Sequence, residues 1–294
     1  MERNSKIAII GGDSRELYLA DYLLGQGYQI ALCGFEKVPQ LAPNFTDPLE
    51  AAAGADAIIL PLAGVKDNLR PNCPLSDNPP RLSEEFFAAL SPETVVFIGW
   101  ARPELAKLAA GMRLITIADD DELSILNSIP TAEGAIAIAI ERSQVTIHGS
   151  EALVVGFGRC ARTLARMLEG IGAKVAVAAR KASDHARAYE MGFTVWTIAA
   201  LVDAVKDKAF IFNTVPALVL TGEVLAEANK CQALVDLASG TGGTDFQAAA
   251  SYGINAVLAP GLPGKVAPET AGKILAKVYP RLLTQYGVDR RRGL

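Results

Sequence analysis

Ala152-Leu-Val-Val-Gly-Phe-Gly-Arg-Cys-Ala161 is four apolar residues running into a Gly156-x-Gly158-x-x-Ala161 turn, followed by a helical pattern. An apolar run that ends in a glycine turn and opens a helix predicts the start of a dinucleotide-binding unit. Gly156 permits the tight turn, Gly158 lets a pyrophosphate approach the backbone, and Ala161 lets the helix sit close on the strand. Arg159 and Cys160 then open the helix, whose unpaired N–H groups and positive dipole end favour phosphate. The next strand candidate, residues 174–179, ends at Arg180-Lys181, where an NAD enzyme places a carboxylate on the ribose hydroxyls. A guanidinium there suits a bidentate pair with a 2′-phosphate, with Lys181 or Ser183 as a second contact, so the expected cofactor is NADP. The competing reading is a solvated strand end, where Arg and Lys are common.

Further strand candidates lie at residues 209–213, 233–237 and 254–258. Thr214, Val215 and Pro216 follow the first of these, Asp236 ends the second, and Pro260 follows the third. These are carboxyl ends of strands, where open α/β sheets bind ligands. Asp236 either reaches the nicotinamide side or caps a turn. The first half repeats the plan: Lys6-Ile-Ala-Ile-Ile10, the turn Gly11-Gly-Asp-Ser-Arg15, a helical pattern, then strand candidates at 29–33, 57–60, 95–98 and 114–117. Residues 65–81, rich in Pro, Asn and Asp, read as a long surface loop.

Together these predict two doubly wound, Rossmann-like α/β domains with mostly parallel sheets, and a C-terminal helix packing across the domain boundary. The expected divisions are a substrate-side domain over 1–128, an NADP-binding domain over 129–265, and a returning helix over 266–294, interrupted at Pro280. Pro130 reads as the start of an Ala/Ile-rich helix leading into the second domain. Arg15 and Arg102 are candidate partners for a substrate carboxylate. Asn127, Thr131 and Glu133 flank the passage between domains, where polar groups would meet a substrate, although Glu133 could equally cap the helix.

A length of 294 residues suits two domains, each able to bury its own core without disulfide or metal. Two histidines leave no room for a His-rich metal centre, and none follows His185 to act as the imidazole that keto-acid reduction requires. With 28 basic and 32 acidic residues intermixed, nucleic acid is not an expected partner. Four scattered cysteines without a CxxC pair read as reduced thiols in a cytoplasmic protein, and no signal peptide or membrane span is expected.

Five stretches carry a family resemblance: Gly11-Gly-Asp-Ser-Arg15, Asn127-Ser-Ile-Pro-Thr-Ala-Glu-Gly134, Ile147-His-Gly-Ser150, Asp236-Leu-Ala-Ser239 with Gly242-Gly-Thr-Asp-Phe246, and Leu258-Ala-Pro-Gly-Leu-Pro-Gly-Lys-Val-Ala-Pro-Glu-Thr-Ala-Gly272. Over nearly its whole length the chain resembles the A-subunits of dipicolinate synthase from spore-forming bacteria. The resemblance implies oxidation of a dihydrodipicolinate precursor, derived from the lysine pathway, to pyridine-2,6-dicarboxylate with NADP. It further implies a small dicarboxylate substrate, a partner in the form of a flavoprotein-like B subunit, a homo-oligomer, and the cytoplasm of the mother cell. The alternatives are an NADP-dependent oxidoreductase of the 2-hydroxyacid or alanine dehydrogenase type, and a non-catalytic NADP-binding scaffold for a flavoprotein.

Overall fold

In the computed structural model, residues 4–38, 41–66 and 68–288 are described. They form two compact units, Met1–Ser124 with Ala267–Leu294, and Ile125–Val266. The first contains β1 (Lys6–Ile10), α1 (Ser14–Gly25), β2 (Gln29–Cys33), β3 (Asn44–Phe45), α2 (Pro48–Ala52), β4 (Ala57–Ile59), α3 (Glu84–Ala88), β5 (Val95–Ile98), α4 (Pro103–Leu108) and β6 (Arg113–Thr116). Its sheet runs β3-β2-β1-β4-β5-β6 with every pairing parallel. Crossover helices cover both faces of such a sheet, so its inner strands read as unbroken apolar runs rather than alternating ones. Ile7 to Ile10 are accordingly fully buried.

The second unit holds most of α5 (Asp121–Glu141), then β7 (Glu151–Val155), α6 (Arg159–Gly170), β8 (Lys174–Ala179), α7 (Ala182–Glu190), β9 (Thr194–Thr197), α8 (Leu201–Ala204), β10 (Phe210–Asn213), α9 (Gly222–Ala226), β11 (Ala233–Asp236), α10 (Phe246–Ser251), β12 (Ala256–Leu258) and α11 (Leu262–Val266). Its order, β12-β11-β10-β7-β8-β9, is again all parallel and repeats the plan of the first sheet. The last helix, α12 (Pro268–Gln285), returns the chain to the first unit and packs along α1. A side chain at Gly272 would run into Tyr18 of α1, so the two helices meet where glycine allows it. Tyr279 is buried and edge-on to Phe97, with ring centroids 5.7 Å apart. Arg281 ties the helix to Asp120 (2.6 Å) and Glu122 (3.0 Å).

Two prolines behave differently from their sequence reading. Helix α5 begins not at Pro130 but at Asp121, where Asp120 accepts a hydrogen bond from Leu123 N (3.0 Å), and it continues through Pro130. Helix α12 likewise runs unbroken through Pro280. An internal proline costs about 3 kcal/mol, and each helix offsets this by burying an apolar face. Ala132, Ala135 and Ala139 of α5 lie in the core of the second unit, and Leu275, Val278, Leu282 and Leu283 of α12 are buried. Helix α5 is, by length and composition alone, apolar enough to cross a membrane, chiefly through its isoleucines and leucines, whereas no membrane span was expected from the sequence. The stretch Ala259–Gly264 contains the start of the short helix α11. Strands β3 and β9 were not anticipated, one being two residues long and the other a half-exposed edge.

Candidate functional site

In the second unit the strand order reverses between β7 and β10, the switch point at which doubly wound sheets bind ligands. Gly156, just beyond β7, has φ +97°, and a Cβ there would run into the Thr214 hydroxyl. That hydroxyl is fixed by donating to the Val155 carbonyl (2.9 Å). Gly158 is the N-cap of α6, has no side-chain cap, and a Cβ on it would meet nothing within 4 Å. The backbone at Gly158, where α6 begins without a side-chain cap, is thus bare toward open space, a cradle that fits a pyrophosphate. Because φ at Gly158 is −77°, alanine is tolerated by the fold. Gly158→Ala should therefore leave thermal stability unchanged and weaken NADP binding about tenfold or more; equal affinity in calorimetry would remove the pyrophosphate from this turn.

The turn opens onto a cleft of about 590 Å³ whose lining brings together Gly156, Gly158, Arg180, Lys181, Thr214, Val215 and Pro216. Arg180 and Lys181 are exposed, and among the described residues neither side chain makes a hydrogen bond or ion pair. Two unpaired cations on one rim leave this end of the cleft positive. Phe157, Asp184 and Ile198 also line it, and the sequence reading had singled out none of them. Phe157 was legible as the middle residue of the glycine turn, whereas Asp184 sits one helical turn past the strand end and enters the cleft only through the direction of α7.

Four other cofactor candidates are placed away from the cleft lining. Arg159 and Cys160 occupy the first turn of α6, and burial pushes the Cys160 thiol up to about 11, where it is un-ionised at neutral pH. Pro260 is exposed beyond β12. Asp236 is fully buried and accepts from Asn213 Nδ2 (3.0 Å), Ala238 N (3.0 Å), Gly243 N (2.8 Å) and Thr244 Oγ1 (2.6 Å). Buried and closed on four donors, its carboxylate clamps the loops after β10 and β11, the turn-capping alternative. Neither histidine lines the cleft: His148 Nδ1 contacts Ile171 O (3.2 Å) and His185 Nε2 contacts Ala179 O (2.7 Å).

The equivalent turn of the first unit is filled by its own chain. Gly11 N donates to Cys33 O and Gly12 N to Asn72 O, each at 2.8 Å, while Asp13 N donates to Glu16 Oε2 (2.8 Å). Glu16 Oε1 also accepts from Leu62 N beyond β4 (3.0 Å), so a buried carboxylate stands where a phosphate would sit in a nucleotide-binding turn. Burial drives the Glu16 carboxyl above its ordinary range against the pull of Arg15. Burial also works to raise Asp13, but hydrogen bonds and charge from Arg15 outweigh it and hold that carboxyl low. Arg15, 5% exposed, donates from Nε (2.9 Å) and Nη2 (2.8 Å) to the two Asp13 oxygens. Its sequence position suggested a substrate carboxylate as partner, but its fork is already closed on Asp13. Arg102 caps the start of α4, exposed, with Nε donating to Val65 O (2.9 Å). On α5, Thr131 donates to Asn127 O (2.7 Å), the buried Asn127 Oδ1 has no hydrogen-bond partner, and Glu133 is exposed.

Comparison with known proteins matches the two units to different family models. Residues 6–118 match the model of the dipicolinate synthase A-subunit N-terminal domain, and residues 132–235 that of the NAD-binding domain of D-isomer specific 2-hydroxyacid dehydrogenases. The dipicolinate synthase A-subunit of Bacillus subtilis is 38% identical over 288 residues, covering 95% of this chain and 96% of that protein. The crystal structure of the A-subunit from Bacillus halodurans superposes with TM-score 0.91 at 37% identity, covering 95% of this chain and 97% of the other. The crystal structure of its Bacillus subtilis counterpart gives 0.89 at 36%, covering 99% of each. An NAD-binding-type domain is therefore present, and the chain belongs to the dipicolinate synthase A-subunit family.

Proposed function

We propose that this protein oxidises dihydrodipicolinate, derived from the lysine pathway, to dipicolinate with NADP during spore formation. It acts in the cytoplasm of the mother cell, as a homo-oligomer partnered by a flavoprotein-like B subunit. The observation that carries the cofactor choice is the unpaired Arg180-Lys181 pair on the rim of a cleft whose glycine turn is open to phosphate. A guanidinium and an ammonium there match a 2′-phosphate, whereas two ribose hydroxyls would be better served by a carboxylate acceptor.

When bound, the nicotinamide supplies the acceptor for a hydride from a ring carbon. Gly156 and Gly158 keep the backbone clear for the pyrophosphate, and Thr214, Val215 and Pro216 line the same cleft beside them. Arg102 receives a substrate carboxylate, the role that Arg15 cannot share while it closes on Asp13. Glu133 takes the ring proton, and Asn127 and Thr131, one helical turn apart on α5, orient the substrate. Losing a hydride and a proton leaves an aromatic ring, so a carboxylate is base enough and no imidazole is needed. Arg102→Ala should raise KM for dihydrodipicolinate about tenfold or more with NADP affinity held. Glu133→Gln should lower kcat with KM held. Steady-state kinetics with unchanged KM in the first variant and unchanged kcat in the second would remove both assignments.

A further inference from the structure

Asp184 poses a problem for the cofactor assignment, on which the following inference rests. Asp184, on the first turn of α7, lines the same cleft as Arg180 and Lys181. A carboxylate beside a phosphate dianion repels it, and left alone it would also compete for the two cations. The carboxylate is not alone: Arg162 Nη2 donates to Asp184 Oδ1 at 3.1 Å. Arg162 is itself held, with Nε donating to Phe157 O (2.9 Å) and its guanidinium over the Phe157 ring at 5.3 Å. Phe157 is buried between the two glycines of the phosphate turn. The guanidinium that neutralises Asp184 is thus anchored to the turn that would receive the pyrophosphate, and Arg162 is not itself part of the cleft lining.

We infer that Arg162 is a specificity-positioning residue: by neutralising Asp184 it leaves Arg180 and Lys181 available to a 2′-phosphate and admits NADP to a cleft that also carries a carboxylate. It acts through Asp184 and does not touch the cofactor's phosphate. Removing Arg162 exposes the charge of Asp184, which repels the 2′-phosphate, pairs with Arg180, and offers an acceptor to an unphosphorylated ribose. The preference for a 2′-phosphorylated ligand then falls, and removing Asp184 as well restores it.

The test uses the full chain and two probes, 2′,5′-ADP and 5′-AMP, with dissociation constants measured by calorimetry for wild type, Arg162→Met, Asp184→Asn and the double variant. The ratio of the two constants cancels any general loosening of the Phe157 turn. Arg162→Met should lower the preference for 2′,5′-ADP about tenfold, while Asp184→Asn and the double variant stay within about threefold of wild type. An unchanged ratio in Arg162→Met overturns the inference. So does a fall that the double variant fails to restore, since Arg162 would then be contacting the phosphate directly. A fall in Asp184→Asn alone overturns it even if Arg162→Met does not fold. Wild-type protein preferring 5′-AMP would sink the NADP reading and this inference together, whereas a wild-type preference for 2′,5′-ADP that survives Arg162→Met ends the inference alone.

Discussion

Arg15→Met should destabilise the first unit by about 3 kcal/mol or more in urea unfolding at neutral pH. The substitution keeps most of the aliphatic stem but leaves Asp13, and the fully buried Glu16 beside it, without their cation. The two carboxylates hold the turn after β1 and, through Leu62 N, the turn after β4. Loss of the pair therefore reaches both sides of the switch point. The pH dependence has a definite sign. With Arg15 present, Asp13 titrates below its unfolded value, so its contribution is present above that value and is lost as pH falls through the lower folded one. Glu16 is raised, so its burial as an anion opposes folding as pH climbs through the glutamate range. In the variant both groups prefer the neutral form, and the gap from wild type should narrow on acidification. A stability loss under about 0.5 kcal/mol with a large rise in substrate KM would instead give Arg15 to the substrate.

The second large effect is expected at Arg180. Arg180→Ala should weaken NADP binding by about tenfold to a hundredfold, the range of a charge-assisted hydrogen bond to phosphate, and leave NAD within about twofold. Because Arg180 is exposed and unpaired, thermal stability should not change. Parallel loss of both cofactors would mean that the guanidinium serves the shared adenosine, and no loss of either would return it to a solvated strand end.

The fold was legible because both units announce themselves locally. Each inner strand is an apolar run, and most of these runs lead to a helix before the next long strand, which leaves a parallel sheet as the consistent solution. What was not legible came from tertiary packing. Pro130 and Pro280 are breakers by local chemistry and interior residues in fact, since the apolar faces around them outweigh the cost. At the site, the convergence of Gly156, Gly158 and Arg180 on one cleft was readable because their positions follow from fixed offsets to two neighbouring strands. Asp236 and Arg15 were not, because a carboxylate or guanidinium at a strand end has the same sequence signature whether it faces ligand or its own chain. Only the closed hydrogen bonds of Asp236 and the Asp13 fork separate the two cases. Asp184 and Arg162 are 22 residues apart and meet only through the packing of α6 and α7.

The most direct test mixes purified protein with dihydrodipicolinate and NADP and follows reduced nicotinamide and dipicolinate together, with and without the B subunit. We expect the two products in equal amounts, NAD supporting a much slower reaction. NADP binding with neither product, in the presence or absence of the B subunit, would contradict the assignment and leave the chain a cofactor-binding scaffold.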